Sequence, residues 1–458
     1  ARSLGSATDG TQPRERRLAR VPPALVARGA ARAGRALAGS ARSAVAARAG
    51  AKMSRVAGPG LAPAGEPLAP VRHLVKPQVA AAGPRCQHAS AAEHRRGAVR
   101  TDWTRAEIEE IYNRPLIQLV YDAATVHRQY HNPREVQQAT LLSIKTGGCV
   151  ETCSYCAQSS SWSKDTGLKA EKLMDLDDVY KAALEAKASG STRFCMGAAW
   201  RGPSQVGPRQ FERVLDMVSK VRALNMEVCT TLGMLTAEQS HQLKTAGLTC
   251  YNHNLDTSPE FYSKITSSRT YDDRLDTLGK VREAGLSVCS GGIIGMGELD
   301  KDRVGLIHTL ATLPEHPESV PINALVPVEG TPLEMKGVEK PTGLEMVRCV
   351  ATARIVMPKS MVRLSAGRLE LSTAEQAMCF MSGANSIFAG DKLLTTANNE
   401  RNADAEMFEQ LGLINKPAFN GKEEHFEIPS SRAESIKLRE EIKAFNIGGC
   451  KTAAASSA

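Results

Sequence analysis

The chain has 458 residues, a formal net charge of +9 and eleven cysteines. The charge is lopsided: residues 1–100 hold 18 Lys and Arg against 4 Asp and Glu, while residues 101–458 hold 40 of the 58 basic and 45 of the 49 acidic residues, a net of −5. That removes the main support for nucleic-acid binding, whose basic footprint belongs on the folded part, while no apolar run approaches the roughly 18 residues of a membrane-spanning helix and a chain this size is not built on a disulfide framework.

Residues 1–100 are rich in Ala, Arg, Gly and Pro and contain no Phe, Trp or Tyr, so they cannot form a core and read as a disordered leader. Arg-rich, acid-poor segments are typical of organelle import. Arg28, Arg32 and Arg35 share one face of a helix that Gly29, Gly34 and Gly39 weaken. A disordered tail with no address is the alternative. The first methionine is Met53, so residues 1–52 read either as a translated leader or as a mispredicted exon ahead of a start at Met53; Met53 to Arg100 still carries seven basic and two acidic residues.

Folded structure is predicted from Thr101. Thr104 and Glu107 form a capping box for a helix carrying Ile108 and Ile111, and 115–129 gives a second helix with Leu116, Leu119, Val120 and Ala123 on one side. From Leu141 short β-rich runs alternate with helical patterns. The strands are 141–144, 192–196, 227–232, 249–254, 287–293, 320–325, 361–365 and 384–388; the helices are 177–188, 211–224, 237–246, 271–284, 301–313, 344–356, 373–382 and 404–411. Gly190, Gly247 and Gly285 stand where a helix stops before the next strand. Eight such units over about 270 residues predict a (βα)8 TIM-type barrel with an N-terminal helical extension, a fold of typically about 250 residues whose chemistry gathers at the C-terminal mouth. An open doubly wound sheet is the alternative, without a Gly-x-Gly-x-x-Gly turn to support it. The expected organisation is leader 1–100, barrel 101–413 and a C-terminal extension 414–458 in which 431–445 is an exposed helix and 453–458 a frayed end.

The loop after the first strand reads Gly148-Cys149-Val150-Glu151-Thr152-Cys153-Ser154-Tyr155-Cys156. Its spacing gathers three thiolates, which suits a four-iron cluster with one iron left open for another molecule. Spacing alone leaves open a zinc site completed by a distant His, or a redox pair. The three cysteines and the aromatic residue before the third resemble the radical S-adenosylmethionine (AdoMet) superfamily, in which AdoMet chelates the open iron and Tyr155 would lie by the adenine. Cys195, Cys229 and Cys289 fall in the second, third and fifth strands. They suit either a second metal site inside the barrel or simple core packing, the role assigned to Cys250, Cys349 and Cys379; Cys86 and Cys450 are assigned to mobile ends.

Five further segments resemble the biotin synthase family from about Thr101 to Leu413: Arg193–Trp200 (RFCMGAAW), Met226–Gly233 (MEVCTTLG), Tyr251–Thr257 (YNHNLDT), Val288–Gly292 (VCSGG) and Val362–Arg368 (VRLSAGR). The resemblance implies that Cys149, Cys153 and Cys156 hold a [4Fe-4S] cluster that cleaves AdoMet, and that Cys195, Cys229, Cys289 and Arg363 hold a [2Fe-2S] cluster supplying sulfur to dethiobiotin. Arginine is an unusual ligand, being normally protonated with no free acceptor pair. It further implies that Asp256 grips the AdoMet ribose, Asn254 faces the nucleoside and dethiobiotin, Asn323 binds the ureido ring, Ile293 lies against the adenine, the backbone of Gly291–Gly297 approaches AdoMet, and Trp200 lines the pocket or simply packs. Val150 and Ala157 stand where the family commonly has proline, and the Gly202–Arg209 loop looks elongated. A homodimer, a ferredoxin- or flavodoxin-type electron donor, the iron-sulfur assembly machinery and the mitochondrial matrix, with the plastid as alternative, complete the expectation. Against it stand another radical AdoMet enzyme without a second cluster and a non-enzymatic metal-binding scaffold.

Overall fold

The computed structural model describes residues 97–422 and 424–452. Residues 1–96 of the leader, with Met53 and Cys86, and the 453–458 tail lie outside these, as does the side chain of Cys450. Ten strands follow in chain order: β1 Glu135–Lys145, β2 Arg193–Ala198, β3 Glu227–Thr231, β4 Cys250–Asn252, β5 Ser287–Cys289, β6 Gly292–Ile294, β7 Ser319–Ala324, β8 Met361–Leu364, β9 Ala384–Phe388 and β10 Ile414–Asn415. All pairings are parallel, neighbours run from β1 to β9, and β9 pairs back to β1. The sheet is therefore a closed barrel, and the open doubly wound alternative is removed. β5 and β6 are two halves of one barrel strand, both pairing with β7, while β10 adds beside the start of β1.

Between β5 and β6 the chain runs tight against β7. A Cβ on Gly291 would stand 2.0 Å from the Pro321 carbonyl oxygen, so the chain passes there only as bare backbone. The first strand is longer than its apolar run suggests. It begins at Glu135, because Gln137, Ala139 and Leu141 alternate into the barrel while Val136 and Ile144 pack against the outer helices.

Each barrel strand is followed by a helix, the expected eight appearing between Leu176–Ala188 and Arg401–Leu411. Capping boxes at Thr236, Thr270, Thr342 and Ser372 start four of them. Outward strand residues such as Phe194, Met196, Val228, Tyr251, Val288, Ile322, Val362, Leu364 and Ile387 are buried against this layer. The helices Arg105–Tyr112, capped by Thr104, and Leu116–Tyr130 precede the barrel. Trp103 Nε1 donates to the Val356 carbonyl at 3.1 Å, and Arg348 to the Arg114 carbonyl at 2.9 Å.

The C-terminal helix, expected as merely exposed, runs Ser430–Thr452 and docks on the helix Pro208–Arg222. Arg432 pairs with the buried Asp216 at 3.0 Å, Lys220 pairs with Glu440, and Ile436 is buried.

The inward face is what sets this barrel apart. Such barrels are normally filled by branched aliphatic side chains, but here the inner positions include Gln137, Arg193, Cys195, Cys229, Cys250, Cys289, Arg363 and Ser386, all buried. A fold that spends its interior on thiols and polar groups does so for chemistry rather than packing.

Candidate active site

After β1 the chain turns at Gly147 and Gly148, both at positive φ (69° and 72°), into the cysteine loop. Backbone bonds from Cys149 N to Gln158 O (2.9 Å), Ser160 N to Cys149 O (2.7 Å) and Ser154 N to Ile265 O (2.9 Å) fix it over the barrel mouth. Within the loop Glu151 is buried and faces Arg269 at 3.3 Å and Arg201 at 3.6 Å. Arg269 also donates to Cys153 Sγ at 3.1 Å. Burial pushes the Cys156 thiol up to about 12, Cys153 adding to the effect, and burial raises Cys149 as well. These thiols stay protonated at neutral pH until a metal displaces their protons.

Beneath the loop lies a cavity of about 330 Å³. Cys149, Cys153, Cys156, Tyr155, Cys195, Trp200, Cys229, Asn254, Asp256, Ile293, Asn323 and Arg363 all line it. Cys289 does not. It sits behind Asn252, whose Nδ2 approaches its Sγ at 3.2 Å. Tyr155 and Ile293 share an apolar patch with Phe261, Ile265, Met296, Leu325 and Leu333. Asp256 holds positive φ (67°), a conformation Asp tolerates better than most residues. One of its oxygens accepts from Arg274 at 2.6 Å, with Arg269 at 3.8 Å. Asn254 accepts from Gly291 N at 3.2 Å, and Asn323 spans Gly292 O (2.9 Å) and Ala366 N (3.2 Å). Both amides are thus held in place by backbone before any ligand arrives.

Deeper in, the strand registers set Leu141, Cys195, Cys229 and Cys250 side by side, with Cys289 level with Asn252. The four thiols form one buried cluster with Ala139, against which Leu141 and Phe388 pack. Hydrogen bonding with Cys229 pulls the Cys195 and Cys289 thiols down, the Arg363 charge assisting, while Cys229 itself goes up. Arg363 is buried beside them; Nε donates to Ser386 Oγ at 2.9 Å, Nη2 to Gln137 Oε1 at 3.2 Å, and the guanidinium lies 4.7 Å from the centre of the Phe388 ring. Arg193 pairs with Glu227 at 2.7 Å, leaving its buried Nη1 with no hydrogen-bond partner. The Arg193 and Arg363 guanidiniums act electrostatically on these thiols, and a buried donor without a partner beside them suits an anionic cluster, so the interior fits such a group.

No three His, Cys, Asp or Glu side chains among the described residues converge as they would on a single ion. A mononuclear zinc site draws its sulfurs to about 2.3 Å of one centre, whereas a cluster spreads its ligands over several irons. Cys349 and Cys379 are buried under the outer helices, as expected. Cys250 is buried too, but among the candidate ligands. Glu151, Arg269, Arg274 and His253 line the cavity and were not singled out from the sequence. Only the position of Glu151 inside the cysteine run offered a local signal.

A parallel (βα)8 barrel with three cysteines of one loop over its mouth defines a radical AdoMet enzyme. The radical SAM superfamily model matches residues 143–310, and the Biotin and Thiamin Synthesis associated domain matches 321–414. Among solved structures, methylornithine synthase shares the fold with a TM-score of 0.58 at 18% identity, covering 69% of this chain and 94% of that one. The chain is 62% identical to the biotin synthase of Cytophaga hutchinsonii over 321 residues, 70% of this chain and 94% of that protein. It is 60% identical to the mitochondrial biotin synthase of Arabidopsis thaliana, over 69% of this chain and 83% of the relative. The chain belongs to the biotin synthase family, and its radical AdoMet domain implies a [4Fe-4S] cluster and AdoMet.

Proposed function

We propose that the two cysteine sets hold two clusters serving one reaction, sulfur insertion into dethiobiotin to give biotin. Cys149, Cys153 and Cys156 hold the [4Fe-4S] cluster; Cys195, Cys229, Cys289 and Arg363 hold a [2Fe-2S] cluster. The observation that carries this reading is the single cavity whose wall runs from the loop thiols to Cys195, Cys229 and Arg363. When bound, the first cluster with AdoMet supplies a radical able to take hydrogen from saturated carbon, which no side-chain base ionises at neutral pH, and the second supplies sulfur.

The residues around them bind and exclude. Arg269 and Glu151 hold the cysteine loop, and the hydrogen bond to Cys153 tunes the charge on that sulfur. Asp256, one oxygen anchored by Arg274, offers the other to the ribose hydroxyls. Tyr155 and Ile293 present an apolar wall to the adenine, and Trp200 closes the cavity side. Asn254 and Asn323, pre-oriented by backbone, retain amide hydrogens for the nucleoside and the ureido ring, which limits the ordering cost of binding.

Anaerobic reconstitution followed by Mössbauer spectroscopy tests the assignment. Cys153→Ala removes the four-iron spectrum and keeps the two-iron one, and Cys229→Ala does the reverse. Loss of both spectra in each variant, with the fold retained, contradicts two separate sites. Residues 1–100 act as a mitochondrial import leader on 101–413, supported by their Arg-rich composition and by mitochondrial relatives in Arabidopsis thaliana and Emericella nidulans. A fluorescent fusion of 1–100 reaching plastids instead overturns that. A homodimer, a ferredoxin- or flavodoxin-type donor and the iron-sulfur assembly machinery are the expected partners.

A further inference from the structure

Four thiols, not three, cluster at the site assigned above to the second cluster: Cys195 and Cys229 line the cavity, and Cys250 and Cys289 pack directly behind them. Cys250 is 1% exposed, lies in direct register with Cys229 and through it with Cys195, and packs with Cys195, Cys229 and Cys289 in one cluster. Cys289, one of the ligands proposed above, stands one inward position farther along its strand, level with Asn252. By register, Cys250 is at least as well placed as Cys289. Arg363, the non-thiolate member of the set, already gives Nε to Ser386 and Nη2 to Gln137, with its plane against Phe388. The chamber therefore offers a complete set of soft ligands without the arginine, and iron prefers thiolate sulfur to a guanidine nitrogen that must first lose its proton.

We infer that Cys250 is a fourth thiolate ligand available to the [2Fe-2S] cluster, able to take the iron position assigned to Arg363. This rests on the two-cluster reading above. The exchange balances without a redox step: the Cys250 S–H proton passes to the departing guanidine nitrogen, an iron–sulfur bond forms, an iron–nitrogen bond breaks, and Arg363 is left as a guanidinium. Its consequence is retention of iron by the chamber when the nitrogen ligand leaves.

The test compares the anaerobically reconstituted wild type with Cys250→Ala, Arg363→Leu and the double variant, reading iron, acid-labile sulfide, Mössbauer and resonance Raman spectra. Arg363→Leu is expected to keep its two-iron cluster with four terminal thiolate modes, and the double variant to hold about tenfold less of it, retaining the [4Fe-4S] spectrum as proof of fold. Loss of the two-iron cluster from Arg363→Leu overturns the inference. So does equal retention in Arg363→Leu and the double variant, or a Raman spectrum of Arg363→Leu with only three thiolate modes, a reading that needs no double variant. A wild type with no two-iron cluster removes the two-cluster reading itself, and is told apart because it fails before any substitution.

Discussion

Arg269 is the residue on which the mouth of the barrel turns, since it reaches Cys153, Glu151 and Asp256 together. Removing a hydrogen bond and a positive charge from a cluster sulfur makes reduction harder. Arg269→Met is therefore expected to move the [4Fe-4S] potential to more negative values, measured by EPR-monitored redox titration; an unchanged potential removes the tuning role. Asp256→Asn keeps the left-handed backbone but not the charge that holds Arg274, and the KM for AdoMet is expected to rise about tenfold, worth about 1.4 kcal/mol of binding. Only part of this neighbourhood was legible in the sequence. The loop cysteines declare themselves because their ligand chemistry is local. Arg269 and Arg274 were silent because their partners come from distant segments, and Cys250 looked like ordinary core because its meaning lies in a register with Cys229 that one strand does not reveal.

Individual elements test the packing argument. In the helix Tyr271–Glu283, Gly279 has a helical backbone and open space around a Cβ, so Gly279→Ala is expected to stabilise by about 1 kcal/mol in chemical denaturation. Gly291→Ala, between β5 and β6, drives a Cβ into the Pro321 carbonyl and is expected to lower Tm by several degrees or abolish folding. Equal effects from the two glycines contradict this geometry. The helix Leu116–Tyr130 carries His127, and His131 caps its end; burial, with the nearby Arg354 guanidinium, lowers their pKa values to about 3 and about 4. Below about pH 6.5 the unfolded chain protonates these rings while the folded chain does not, so stability falls as pH drops from there toward pH 4, by about 2 kcal/mol per ring at pH 5. Equilibrium unfolding of His131→Gln against wild type at pH 7.5 and 5 measures it, the variant losing less on acidification. Helix boundaries were readable from periodicity to within a few residues, since outward strand and helix faces obey the apolar rule. The start of β1 was not, because Gln137 and Gln138 are polar where a barrel strand is normally apolar, and the docking of Ser430–Thr452 depends on Asp216 and Lys220 of a remote helix.

At the scale of the whole molecule, the barrel wraps helices around a wall whose outer side is apolar and whose inner side is sulfur and polar groups. That division lets one fold be stable and still hold chemistry that needs a water-poor interior. The inner thiols thus serve sulfur insertion rather than packing under the proposal above. The decisive experiment incubates the reconstituted protein anaerobically with AdoMet, a reductant and dethiobiotin, and quantifies 5′-deoxyadenosine and biotin by mass spectrometry for wild type and Cys195→Ala. The wild type is expected to give both products, and Cys195→Ala deoxyadenosine without biotin. Biotin formed by Cys195→Ala at the wild-type yield would contradict that proposal.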